Sequence, residues 1–203
     1  MYGSAFHAAK MTPMPKLAAV GVLAALVLLA ALPPPGHAQC TPENPAGPVP
    51  PHEADLVYLP TPHHVVGAML RLAAVSPVDV VYDLGSGDGR IPIAAARDFG
   101  ARAVGVELDT ARVELARCHA RAAGLDQRVV FRRQDLFATE LGEATVVTLF
   151  LFHDVNVKLA PLLRALRPGT RIVSHRFGLG DWKPDRTVEA DGHLLMLWVV
   201  PEP

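Results

Sequence analysis

The chain has 203 residues, half of them hydrophobic, and a formal net charge of −1. That length holds one folded domain with a tail, and the balanced charge excludes the clustered excess base of a nucleic-acid footprint. The two cysteines make no disulfide framework. Cys118 reads as a small buried residue of a helix, and Cys40 as a thiol in a proline-rich tail.

Residues 1–16 carry Lys10 and Lys16 and no acid, and residues 17–32 carry no charge. Pro33-Pro34-Pro35 follows, with Gly36 and Ala38 at −3 and −1 of a cut after Ala38. This is the layout of a secretory signal peptide. An uncleaved membrane anchor is the alternative, although sixteen apolar residues are slightly short for a span. No Lys or Arg follows until Arg71, so the positive-inside tendency sends the rest of the chain outward. The expected placement is exported, periplasmic or membrane-anchored, with the cytoplasmic face of the membrane as the alternative. Residues 33–51 contain eight prolines and should form an extended linker. The expected division is 1–38 signal peptide or anchor, 39–52 linker and 53–203 folded domain.

Tyr58-Leu59-Pro60-Thr61-Pro62 leads into an apolar helix over 63–75, with Thr61 as its N-cap and Pro62 at the first helical position. Adjacent His63 and His64 point to different faces, so no metal is expected there. Residues 79–84 read as a buried strand ending at Asp83-Leu84. Gly85, Gly87 and Gly89 form a tight turn with Ser86 and Asp88 between them, and a helix over 90–99 runs to Gly100. A second strand, 103–107, ends in Glu107. The helix over 110–123 is capped by Asp109 or Thr110 and stopped by Gly124. A third strand, 128–133, precedes Asp135 and a helical turn at 136–141. A strand over 145–151, a helix over 155–166 capped by Asp154, and a strand over 170–175 follow. Two final β-like runs, 186–189 and 193–200, flank the hairpin signal Asp191-Gly192. Strands alternating with helices make an α/β fold with a mostly parallel sheet and a C-terminal antiparallel hairpin.

Ligands bind such sheets at the strand ends, where Asp83, Glu107 and Asp135 would line one edge. An acid 20 residues after Gly87 suits the hydroxyls of a ribose. Dinucleotide sites want G-x-G-x-x-G/A, but Arg90 occupies that sixth position. The pattern D-x-G-x-G-x-G, with acids after the next two strands, resembles class I S-adenosylmethionine (SAM) methyltransferases.

Five segments narrow the resemblance: Tyr58-Leu59-Pro60-Thr61-Pro62, Asp83-Leu84-Gly85-Ser86-Gly87-Asp88-Gly89-Arg90, Gly105-Val106-Glu107-Leu108-Asp109, Gln134-Asp135-Leu136-Phe137 and Arg171-Ile172-Val173-Ser174-His175. Over about residues 56–200 the chain is similar to the small protein-lysine methyltransferases of the mitochondrial ATP synthase c subunit and the adenine nucleotide translocase, with their bacterial relatives. The resemblance implies a seven-stranded Rossmann-like class I sheet and SAM as cofactor. It places Asp83, Gly85, Ser86, Gly87, Asp88 and Gly89 around the methionine part, Glu107 on the ribose and Asp135 on the adenine amine. Leu136 is counted with these cofactor contacts, and Tyr58, Pro60 and Thr61 would close over the cofactor.

The chain departs from the family at Phe152-His153-Asp154, where Leu-Pro is expected, while Asn156 matches. Asp154, Asn156 and His175 lie near strand ends and are candidates to orient an acceptor amine. Asp154 and Asn156 are taken as the catalytic pair, and Asp154 is equally a helix cap. The expected function is SAM-dependent methylation of a protein lysine, on a membrane or exported partner. The alternatives are a small-molecule methyltransferase and a non-catalytic module that has kept the fold.

Overall fold

β1 (Val80–Leu84) is buried along its whole length, as a strand covered on both faces must be. A computed structural model, describing residues 59–202, sets it within a seven-stranded sheet. These residues fall in the second of two compact units, Gln39–Pro203. The other strands are β2 (Arg102–Glu107), β3 (Val129–Arg133), β4 (Val146–Leu149), β5 (Arg171–His175), β6 (Arg186–Ala190) and β7 (His193–Val199). Their order is β3-β2-β1-β4-β5-β7-β6. The first five are parallel, and β7 runs antiparallel to both of its neighbours.

Successive strand residues face opposite sides, so the sheet sorts its side chains into two cores. Val81, Ala103, Val129, Val146 and Val173 pack with α1 (His63–Leu72), α2 (Arg90–Phe99) and α3 (Thr110–Ala122). Val80, Tyr82, Val147, Ile172 and Trp198 pack with α4 (His153–Arg164). Asp191 and Gly192 both take positive φ, 50° and 78°, which gives the two-residue hairpin that Asp-Gly signalled.

Below β1, the N-terminal edge of the sheet is tied by Asp79. Its carboxylate accepts from Ser76 N and Oγ at 2.8 Å each, from Thr145 Oγ1 at 2.8 Å, and from Arg171. Burial pushes its pKa up, but these hydrogen bonds and the guanidinium charge outweigh that and hold it below the usual carboxylate range.

Three helix ends differ from expectation. α1 stops at Leu72, because Ala74 turns left-handed (φ 48°) and the N–H groups of Ala74 and Val75 fold back onto the carbonyls of Arg71 and Leu70. Thr61 does not cap α1; Pro62 holds the cap position without a side-chain bond, and the Thr61 hydroxyl is used elsewhere. α4 begins at His153, so Asp154 lies inside its first turn, exposed. The Phe152 carbonyl, not an Asp154 side chain, receives the first N–H groups of α4. Asp109 does cap α3, accepting from Arg112 N at 3.0 Å. Cys118 lies in α3 as expected and is half-buried rather than buried.

The expected export or membrane placement is corrected. No helix among the described residues is long and apolar enough to cross a membrane. The apolar stretch 17–32, the linker, Cys40 and Tyr58 lie outside them.

Candidate active site

The strand order changes direction between β1 and β4, and such a reversal opens a crevice at the carboxyl ends of the strands. A cavity of about 680 Å³ lies there. Of the expected cofactor residues, Pro60, Thr61, Asp83, Gly85, Ser86, Gly87, Asp88, Glu107, Asp135 and Leu136 line it. Gly89 does not. Neither Asp154 nor Asn156 lines it.

The glycine turn is fastened to β2. Gly85 and Ser86 donate their N–H groups to the Val106 carbonyl at 2.8 and 2.9 Å. Gly85 and Gly87 have the positive φ the turn requires, 78° and 53°. Gly89 is needed for space as well. A Cβ there would sit 2.5 Å from the Phe131 ring, and one on Gly105 would sit 2.4 Å from it. The Phe131 ring thus fills the room that two absent side chains leave.

Asp83 is 3% exposed and accepts from Thr148 Oγ1 at 2.6 Å. Burial pushes its pKa up to about 7 against that bond, helped by the charges of Asp88 and Glu107. Next to it, the buried Ser86 Oγ has no partner. Asp88 is paired with Arg90, at 2.5 Å to Nη2 and 2.9 Å to Nε. Burial works against that carboxylate, but Arg90 holds its pKa below the ordinary value. Arg90 Nη1 also donates to the Thr61 carbonyl at 2.9 Å, joining the glycine turn to the segment before α1.

Glu107 does more than end β2. Oε2 accepts from Gly87 N at 3.0 Å, and Oε1 accepts from the N–H groups of Leu108 and Asp109 at 2.8 and 3.0 Å. It is a strut for the glycine turn as well as a cavity acid. Asp135 accepts from Phe137 N at 2.9 Å and starts a short 3-10 turn, Leu136–Ala138.

The β4 and β5 side of the cavity is different. Phe150, Leu151, Phe152, Val155 and Phe177 make it apolar, and Arg176 stands among them. Arg176 has φ 68°, and Phe177 N donates back to the His175 carbonyl at 2.9 Å, closing a three-residue turn of a rare, strained kind. Two polar side chains hold that turn. Ser174 Oγ and Asn156 Nδ2 both donate to the Phe177 carbonyl, at 2.6 and 3.0 Å. Asn156 is fully buried, so its work is to support Phe177. Sequence reading missed Thr148, Ser174, Arg176 and Phe177. Only Arg90, adjoining the glycine motif, carried a local signal.

The near-neutral buried Asp83 and the orphaned Ser86 Oγ fit a ligand that brings a cation and hydrogen-bonding groups, as the amino-acid end of SAM does. The fold and this site define a SAM-dependent methyltransferase. The model of the ANTKMT methyltransferase domain matches residues 83–186, and the chain belongs to that family. A protein-lysine N-methyltransferase of Saccharolobus islandicus is 43% identical over 151 residues, covering 71% of this chain and 94% of that protein. The adenine nucleotide translocase lysine N-methyltransferase of Mus musculus is 45% identical over 104 residues, and the match spans 50% of this chain and 45% of the mouse protein. Among solved structures, an RNA methyltransferase from Salinibacter ruber in complex with S-adenosyl-L-homocysteine (SAH) superposes with a TM-score of 0.70. It is 53% identical and covers 71% of this chain and 95% of its own.

Proposed function

We propose that this methyltransferase acts on lysine side chains of proteins. The observation that carries the reading is the division of the cavity. One half is lined by Asp83, Glu107 and Asp135, and the other is apolar with Arg176 at its edge. The lysine relatives that share much of the chain support it. When bound, SAM supplies a methyl group activated on a sulfonium. Asp83 would take the cofactor's ammonium, with Ser86 Oγ beside it. Glu107 would receive a ribose hydroxyl on the acceptor capacity its backbone donors leave open. Asp135 and Leu136 would meet the adenine, and residues 58–61 would close over the cofactor.

A lysine amine has a reference pKa of about 10.4 and must lose its proton before attack. Desolvation among Phe150, Phe152 and Phe177 favours the neutral amine, and the Arg176 cation favours it further. Position and orientation then supply the remaining catalysis, so a carboxylate base is not required. Asn156 serves by holding Phe177. Asp154, exposed two residues past Phe152, would meet charge on the protein around the acceptor. Leu59, Leu108, Phe137 and Phe152 line the cavity yet are 46–64% exposed. Such an open apolar rim suits a macromolecular acceptor better than a small one. On this reading the methyltransferase domain begins near residue 53.

The test is transfer of isotope-labelled methyl from SAM, by the full chain, to a protein extract and to total RNA in parallel. Label on lysine, located by mass spectrometry, is the expected outcome. Label confined to RNA overturns the proposal.

A further inference from the structure

His175 ends β5 and is 1% exposed, but it does not line the cavity. It still touches three residues that do. Its Nδ1 lies 3.4 Å from Thr61 Oγ1, a long hydrogen bond. Its ring stacks on Phe150, with centroids 4.0 Å apart and planes 32° from parallel. Its carbonyl accepts the N–H of Phe177. On the far side, Nε2 lies 2.8 Å from Nδ1 of His193 on β7. Thr61 is therefore gripped twice, at its carbonyl by Arg90 and at its hydroxyl by His175.

We propose that His175 is a positioning residue, which through Thr61 holds the segment before α1 against the cofactor. This rests on the placement of SAM in the cavity given above.

The choice of residue follows from the neighbours. A neutral imidazole donates from one ring nitrogen and accepts at the other. It therefore satisfies a hydroxyl on one side and a second imidazole on the other, in either tautomer. Burial first, then the proximity of His193 and Arg176, pushes the His175 pKa down to about 4, which keeps the ring neutral near neutral pH. Behind His193 stand His64 of α1 and Asp191 of the hairpin turn, 3.8 Å apart. Phenylalanine would preserve the stack on Phe150 and lose both hydrogen bonds, so it isolates the positioning role.

The experiment is a double-mutant cycle on the full chain, reading SAH affinity by calorimetry. His175→Phe and Thr61→Val should each weaken SAH by about three- to tenfold, the worth of one hydrogen bond. The double variant should lose no more than the worse single, because both changes remove one interaction. Thr61→Ser should restore the affinity that Thr61→Val loses. Multiplied losses in the double variant, or wild-type affinity in folded His175→Phe, overturn the proposal. Should His175→Phe not fold, His193→Leu takes its place in the cycle with the same reading. Glu107→Ala, run alongside, reports on the cavity placement alone. Weakened binding there with an additive cycle removes the role of His175 and leaves the cofactor site standing.

Discussion

Asp79 and Asp83 lie four residues apart, at opposite ends of β1, and each is 3% exposed. Asp79 receives two hydroxyls, a backbone N–H and a guanidinium, and its pKa is held low. Asp83 receives one hydroxyl and faces two other acids, and its pKa stands at about 7. Both carboxylates are hidden from solvent, but Asp83 lies deeper and has fewer donors, so their electrostatics are opposite. The carboxylate at the closed edge is complete within the fold, whereas the one at the open edge faces the cavity with a single hydroxyl donor. A buried acid short of partners costs stability, and such costs gather where function needs them.

The largest expected effect lies at the closed edge. Asp79→Ala removes the counter-charge of Arg171 and the acceptor of two hydroxyls, and should lower unfolding stability by about 2–4 kcal/mol while leaving SAH affinity unchanged. Denaturant titration and calorimetry together check this, and weakened SAH binding would erase the contrast between the two edges. Asp83→Asn should do the reverse. It should weaken SAM by tenfold or more, since charge-assisted hydrogen bonds are worth roughly 1.5–3 kcal/mol. It should also raise the melting temperature of the free protein at about pH 8, where the wild-type acid is ionised without a counter-charge. A lower melting temperature there would mean that Asp83 belongs to the structure as Asp79 does.

The smallest effect sharpens the comparison by sign. The Asp83 value, about 7, lies above the ordinary 3.8, so the free fold retains a proton that the unfolded chain releases. Its stabilising contribution is full below about pH 4 and is lost as pH rises through 7. The Asp79 contribution runs oppositely, present above the ordinary value and lost as pH falls below it. A cationic cofactor ionises Asp83, so SAM binding at about pH 6 should release close to one proton. Calorimetry in buffers of different ionisation enthalpy measures this, and buffer-independent heats would count against a charged Asp83 beside the cofactor.

Much of the sheet was legible because each early strand is an apolar run ended by an acid or a turn. The three cavity acids were legible for the same reason, since chain order carries them to one edge. Partners across the sheet were not. Thr148 meets Asp83 from 65 residues away, and His175 meets Thr61 from 114 away. Nothing local to either residue encodes the meeting, because β1 and β4 become neighbours only when the strand order reverses. Local cap signals at Thr61 and Asp154 misled for a related reason. A hydroxyl with a buried partner, and a helix entered early through the Phe152 carbonyl, overrode them. The double place of Glu107, strut as well as cavity acid, was hidden because its donors are backbone groups that any sequence supplies. The export reading rested on residues 1–38 and on the absence of Lys or Arg between them and Arg71, and nothing in the described domain bears it out.

The strand order has one more consequence. β7 sits between β5 and β6, so the sheet stays incomplete until residues 193–199 have been made, after every strand it joins. His193, the outer partner of His175, opens that strand. While the ribosome still holds residues 193–199, β1 to β5 can assemble and the glycine turn can form, but His175 lacks its neighbour. A nascent chain would therefore gain a cradle for the cofactor before it gains the neighbour that steadies His175.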